Sequence, residues 1–393
     1  MPPRPDILVL HIGFNPGTGI FSIMHSLISW MKKQPGIVVA GGIFAHKKWP
    51  QHYQQELKQL DVPIFLRKIP FFPGSILLLF FSSALSCWIK KLYDAFMPQS
   101  LVIHIHQGPL SGLHMPIRVS LPCPIAIVAT FHGGVFQYYK AHKKMLFALL
   151  AQRLIKYDKD NLALTSVDRS GIITHSQLFG FNKKDFHYIP NPVEDKSLSG
   201  CPRLIDPEAP FTVGFVGVLD VNKGWDLIGK AVEELHQNGK KIKYLIAGNG
   251  PDYNAAAAWA QERPQYVNFK GYVDNALENL MPHLDVLVVP SILEGAPMVI
   301  LEALSCGVPV IATPVGGIPD IIADHQNGFL IDREPSSIVA ALNKLIEDFS
   351  LHLNMSKCAK QTFQERFEIN KIGQSYFTLY KKLLSNQRDV GFN

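Results

Sequence analysis

The sequence predicts an α/β protein built of two doubly wound domains, and three observations carry that expectation. The chain has 393 residues, more than one hydrophobic core ordinarily serves, so two domains are expected. Short Val- and Ile-rich runs of strand length alternate with longer amphipathic stretches, the pattern of parallel sheets covered by helices. Residues 285–312, DVLVVPSILEGAPMVILEALSCGVPVIA, show the repeating unit most fully. There an apolar strand over 285–289 is closed by Pro290, and a loop over 291–296 follows. Pro297 sits where a helix accepts a residue without an N–H. Gly307 suits the left-handed position past a helix end, and Pro309 stops the helix. A second buried strand over 308–312 completes a β-α-β unit.

The other elements follow in order. Residues 7–12 read as the first strand, followed by the turn Gly13-Phe14-Asn15-Pro16-Gly17-Thr18-Gly19 and a helix over 20–33. Such glycines let backbone approach a phosphate, as they also serve any tight turn; the spacing matches neither G-x-G-x-x-G nor a P-loop. Residues 38–44 form a second strand. Residues 71–89 are the most membrane-like stretch, but Pro73-Gly74 and several serines interrupt it, so a buried or interfacial helix is expected there. Residues 101–106 form a strand that puts His104 and His106 on one face. A metal pair and polar strand ends are both open; no further Cys, Asp or His follows at ligand spacing, and no metal is expected. Residues 125–130 form the next strand, ending in Phe131-His132-Gly133-Gly134, where the histidine can meet a ligand or cap its own turn. Strands at 162–166 and 186–190 complete the first domain.

In the second domain, a strand over 211–216 leads into Gly217-Val218-Leu219-Asp220-Val221-Asn222-Lys223-Gly224. A helix over 226–238, a strand over 243–247 and a strand over 267–272 precede the central unit. After it, Thr313 to Asp320 open another helix, Asn327-Gly328 turns into a short strand, and helices are expected over 336–349 and 369–384.

Glu302 is the most informative residue, because it lies in a helical segment apolar nearly all round. A buried carboxylate without a partner costs several kcal/mol, so a partner is expected. That partner is a Lys or Arg elsewhere, or a ligand. A second carboxylate, Glu294, stands eight positions earlier in the preceding loop. The two can line one pocket at the helix N-terminus, where carboxylates accept bonds from sugar hydroxyls and free amides suit a phosphate. Sugar hydroxyls with a diphosphate describe a nucleotide sugar.

The run from Glu294 to Asp320, EGAPMVILEALSCGVPVIATPVGGIPD, closely resembles the E-x7-E segment of the retaining glycosyltransferases of family 4, which have the GT-B fold. The resemblance implies two Rossmann-like domains facing across a cleft. It places Glu294 on the hydroxyls of the donor sugar and Glu302 on the ribose of the nucleotide. Gly295, Ala296, Pro297, Met298 and Val299 then line the donor site. His132 matches the histidine that reaches the donor sugar, and Gly17-Thr18-Gly19 resembles the glycine loop after the first strand. Gly271-Tyr272-Val273 resembles the stretch that meets the base. The family turn G-R-L-x-x-x-K-G keeps its Lys223, but Val218 stands where the family has arginine and brings no charge to a phosphate. Ile189-Pro190-Asn191-Pro192-Val193 resembles the family's I-P-N-G-V at the domain boundary. The expected domains are therefore 1–193 with a crossover helix in 369–393, and 194–368. His132, Lys223 and Glu294 are the expected catalytic residues.

Composition narrows the partners. Five scattered cysteines without a C-x-x-C pair suggest a reducing compartment, and residues 1–6 lead into a strand without a cleavage-site pattern. The net charge of +6 is unevenly shared: residues 1–200 hold 21 Lys and Arg against 10 Asp and Glu, whereas residues 201–393 hold 17 against 22. A basic half suits an acidic partner, and an anionic membrane surface is expected in preference to nucleic acid. Lys140, Lys143, Lys144, Arg153 and Lys156 lie among aromatics in a stretch suited to it. The expected function is transfer of a sugar from a UDP- or GDP-sugar, without cofactor or metal, to a saccharide or lipid-linked acceptor. That would serve cell-surface polysaccharide assembly in the cytoplasm, at the inner membrane face. A synthase with a soluble sugar or sugar-phosphate acceptor and a non-catalytic GT-B homologue are the alternatives.

Overall fold

Two parallel sheets organise the chain, each in its own compact unit: Met1–Pro192 with Ile369–Asn393, and Val193–Glu368. The computed structural model describes residues 4–14, 18–45, 55–56, 58–68, 76–107, 120–133, 161–179, 182–195 and 208–388. Gly17, Gly134 and the basic stretch from Lys140 to Lys156 lie outside these residues.

In the first unit, β1 (Ile7–Phe14), β2 (Ile37–Ala45), β3 (Ile64–Lys68), β4 (Ser100–Gln107), β5 (Ile125–Phe131), β6 (Leu162–Ser166) and β7 (Phe186–Tyr188) form one sheet. Their order is β3-β2-β1-β4-β5-β6-β7, with every pairing parallel. Helices α1 (Thr18–Lys32), α2 (Ile76–Phe96), α3 (Arg169–Phe179) and α11 (Ile369–Arg388) belong to this unit. Strand alternation splits β1 cleanly. Leu8, Leu10 and Ile12 enter a core with Leu85, Ile89 and Leu92 of α2, while His11 joins His104 and His106 of β4 on the opposite face. The burial of Leu85 and Ile89 settles part of the membrane-like stretch: these residues are core and offer nothing to a lipid surface. No helix among the described residues is long and apolar enough to cross a membrane.

The second unit holds β8 (Phe211–Val218), β9 (Ile242–Asn249), β10 (Val267–Gly271), β11 (Val286–Val289), β12 (Val310–Ala312) and β13 (Gly328–Leu330). Their order, β10-β9-β8-β11-β12-β13, is parallel throughout. It reverses between β8 and β11, and such switch points open a crevice at the strands' carboxyl ends, where ligands bind. Helices α4 (Trp225–Gln237), α5 (Tyr253–Gln261), α6 (Ala276–Asn279), α7 (Met298–Ser305), α8 (Ile318–Ile321), α9 (Pro335–Glu347) and α10 (Phe349–Arg366) complete the unit. One core joins one sheet face to α4 and α9, through Ile228, Val232, Ile338 and Leu342. The other joins the opposite face to α7 and α10, through Ile300, Leu304, Ala359 and Phe363.

Candidate donor site at the switch point of the second sheet

The site is built from the loops that leave β8 and β11, the strands on either side of the reversal. After β8, Asp220 caps a single 3-10 turn, Val221–Lys223, by accepting a bond from the Asn222 amide at 2.7 Å. Gly224 then takes φ +74° and starts α4. It is glycine for a steric reason as well, since a Cβ there would meet Pro290 at 2.9 Å. The turn thus lies directly against the end of β11, and the Ile292 amide donates to the Asn222 carbonyl at 2.9 Å. Arg333 fastens the same corner, giving bonds to the carbonyls of Pro290 at 2.9 Å and Val221 at 2.7 Å.

This packing brings Lys223 and Glu294 together across 71 positions of sequence, with Nζ 2.5 Å from Oε1. The Ser291 hydroxyl donates to the same Oε1 at 2.7 Å, and Thr313 holds the Ser291 carbonyl at 2.6 Å. The Lys223 side chain is 31 % exposed and that of Glu294 12 %, so the pair opens outward through its cation. Without a ligand the cation and carboxylate neutralise each other. A diphosphate and a hydroxylated sugar would give each a new partner.

The loop holding Glu294 is clamped from behind by Gly316 and Gly317. The Gly317 amide donates to the Gly295 carbonyl at 2.7 Å, and Gly316, at φ +59°, leaves no room for a Cβ against the Glu294 carbonyl oxygen. Sequence reasoning passed over this glycine pair as a helix opening; its signal was two adjacent glycines in the loop after a strand. Pro297 caps α7 without a side-chain hydrogen bond, so Met298 and Val299 begin a helix whose first amides no side chain covers among the described residues. Ala296, Met298 and Val299 pack partly buried against the core.

Glu302 lies one turn into α7. Part of its surface still reaches solvent, yet enough protein surrounds the carboxyl that desolvation lifts its pKa from 4.5 to about 7. Burial is the whole cause, and among the described residues no lysine or arginine pairs with it. Of the two partners left open for Glu302, a Lys or Arg is therefore absent among the described residues. Apolar side chains are exposed on these loops beside the polar ones: Val218 and Tyr272 are 53 % and 58 % exposed, and Val221 and Ile292 are exposed as well. Tyr272 donates to Asp274 at 3.3 Å, and Val273 packs inward. The valine at 218 leaves Lys223 as the cation on this turn.

The first unit has its own polar cluster at the reversal between β1 and β4. Thr18 and Gly19 begin α1, and His132 stands just past β5, its Nε2 3.2 Å from His106 Nδ1. His106 Nε2 in turn meets His11 Nδ1 at 2.9 Å. His104 bonds Tyr380 of α11 and Thr130 of β5, both at 2.6 Å. The sequence showed His104 and His106 on one face; His11, hidden in an apolar run, is the member it missed. Ligating atoms of His11, His104 and His106 lie within 4.8 Å of one another.

Residues 203–362 match the family model described as glycosyl transferases group 1. Among curated proteins, the chain is 31% identical over 169 residues to N-acetyl-alpha-D-glucosaminyl L-malate synthase of Bacillus anthracis, covering 41% of this chain and 44% of that protein. It is 25% identical to the phosphatidylinositol N-acetylglucosaminyltransferase gpi3 subunit of Schizosaccharomyces pombe, covering 67% of this chain and 56% of that protein. The chain thus spans about half the length of the curated relatives it matches. In fold it is similar to Anabaena Alr3699/HepE, solved in complex with UDP and glucose, with a TM-score of 0.70, 16% identity, and coverage of 96% of this chain and 99% of that one. That likeness establishes the GT-B fold.

Proposed function

We propose, from the premise that residues 203–362 match the group 1 glycosyl transferases, that the protein transfers a sugar from a nucleotide-sugar donor to a hydroxyl acceptor with retention of configuration. The observation that carries this reading is the Lys223–Glu294 pair at the switch point, with Glu302 one turn behind it. Lys223 is the cation for the departing diphosphate, whose negative charge must be met where it develops. The uncapped first turn of α7 adds oriented amides and a partial positive end. Glu294, released from Lys223, accepts bonds from the sugar hydroxyls, and the Glu302 carboxyl takes the ribose. Tyr272 offers an exposed ring to the base. Gly295 and Pro297 shape the backbone between the two acids. The work of these residues is positioning and charge stabilisation.

UDP is the first donor to test, because the structurally similar HepE was solved with it; GDP-sugars are the second. A lipid-linked or saccharide acceptor in cell-surface polysaccharide assembly, reached from the cytoplasmic membrane face, agrees with the basic composition of residues 1–200. Screening UDP- and GDP-sugars by thermal shift tests the donor reading, since a ligand that binds only the folded state raises the midpoint. Release of nucleoside diphosphate from the stabilising donor tests the chemistry. A second reading, a GT-B protein that binds without catalysis, is favoured by Val218 alone; donor turnover would eliminate it.

A further inference from the structure

We propose that His106, His11 and Met31 form a positioning row that holds the His132 imidazole in its neutral Nε2–H tautomer and leaves Nδ1 as its acceptor edge. The row is continuous: His132 Nε2 to His106 Nδ1 at 3.2 Å, His106 Nε2 to His11 Nδ1 at 2.9 Å, and His11 Nε2 to the Met31 sulfur at 3.4 Å. A neutral imidazole has one donor and one acceptor, so one assignment anywhere fixes every ring. The Met31 end decides it. A thioether can only accept, so His11 must carry its proton on Nε2 and accept at Nδ1. His106 then donates from Nε2 and accepts at Nδ1, which makes His132 the donor from Nε2. Asn191 also lies beside His132 and imposes no opposing choice, because His132 Nδ1 and Asn191 Oδ1 make no hydrogen bond among the described residues and an amide can turn either end toward the ring.

Two other readings of the cluster fail on the same geometry. It is no proton path, since a proton moving inward would stop at a sulfur that cannot hold it. It is also a poor cation site. His104 already uses both nitrogens, on Tyr380 and Thr130, and the His104–His106 and His11–His106 rings stack at 4.1 and 5.2 Å instead of converging on one point. No carboxylate among the described residues belongs to the cluster, so an ion there would add uncompensated buried charge. The row stays uncharged near neutrality. Burial holds His11 at about 3 and His132 at about 4, and keeps His104 and His106 well below the usual histidine range. Tyr376 and Tyr380, which close this face among the described residues, are pushed upward by burial and remain neutral.

The chemistry that suits the free edge is a donor: the Asn191 amide, or a hydroxyl of a ligand bound at the carboxyl ends of the first sheet. The ligand clause rests on the transferase reading, whereas the tautomer does not, so the two fail separately. The test uses the full chain labelled with 15N in its histidine rings, and long-range proton–nitrogen spectra at neutral pH without sugar. We expect single Nε2–H tautomers for His11, His106 and His132. Met31→Leu, close in volume, should release His11 into a mixture of tautomers, and His11→Phe should do the same to His132 through His106. A native His132 protonated on Nδ1 overturns the proposal, as does a row unchanged in both folded variants. If His11→Phe fails to fold, Met31→Leu decides alone. Stoichiometric capture of Zn²⁺ with loss of the row's N–H signals would also overturn it.

Discussion

At Glu302 the burial that would prepare the proposed ligand contact costs the ligand-free protein stability. Its folded pKa of about 7 lies above the ordinary 4.5. Below 4.5 both folded and unfolded chains hold the proton, and no penalty arises. As pH rises from there toward 7 the unfolded chain ionises first, so folded stability declines, by at most about 3.5 kcal/mol at roughly 1.4 kcal/mol per pH unit. Glu302→Gln should therefore raise the thermal midpoint at pH 8 and leave it nearly unchanged at pH 4. It should also weaken donor binding by roughly 1–3 kcal/mol, as a lost charged hydrogen bond does. A lower midpoint at pH 8 would mean the carboxylate is paired in the folded chain. At position 218 the deficit is charge: Val218 is exposed beside a turn whose cation is Lys223. Val218→Arg should lower the donor dissociation constant severalfold in a calorimetric titration, by adding a charge-assisted bond to phosphate. Absence of binding in both proteins would sink the donor site.

Among the elements, the turn behind Glu294 decides whether the site can form. Gly316 takes φ +59° with the Glu294 carbonyl against it, whereas Gly239 takes φ +81° with nothing near its missing Cβ. Alanine at either place costs about 1 kcal/mol for the left-handed backbone; only Gly316→Ala adds the collision. Gly239→Ala should keep donor binding and Gly316→Ala should lose it, at greater cost in an unfolding titration. Equal effects would show that the turn does not hold the loop. The β-α-β unit around α7 was legible in the sequence because its signals are local: an apolar run, a proline, a helical period and a glycine. Helix α10 was not, since its buried stripe is carried by His352, Met355, Ala359 and Phe363, a mixture that periodicity of strongly apolar residues passes over. β3 was missed as a five-residue strand in a stretch with no clear pattern. Glu302 announced itself as a charge in an apolar helix. His11 could not, because it lies in an otherwise apolar strand and its partner is 95 positions away. The Lys223–Glu294 contact is equally a product of tertiary packing.

For the whole molecule, the charge division and the build of the first unit bear on membranes and on folding. Residues 1–200 should bind vesicles rich in anionic lipid and release them as salt rises, each lysine or arginine near the surface contributing about 1 kcal/mol. Co-sedimentation across a salt series measures this; with Leu85 and Ile89 in the core, contact through that half of α2 is not expected. Binding that ignores salt, or none, would favour a soluble acceptor. The first unit is also interrupted: α11 belongs to it but follows the entire second unit in sequence. Tyr376 and Tyr380 of that helix supply partners to Thr130 and His104 inside the sheet. During synthesis, then, the unit that begins first is finished last. Until residues 369–388 leave the ribosome, the His104 ring and the Thr130 hydroxyl lack the tyrosine partners that α11 brings, and the second unit can fold before its elder neighbour is complete.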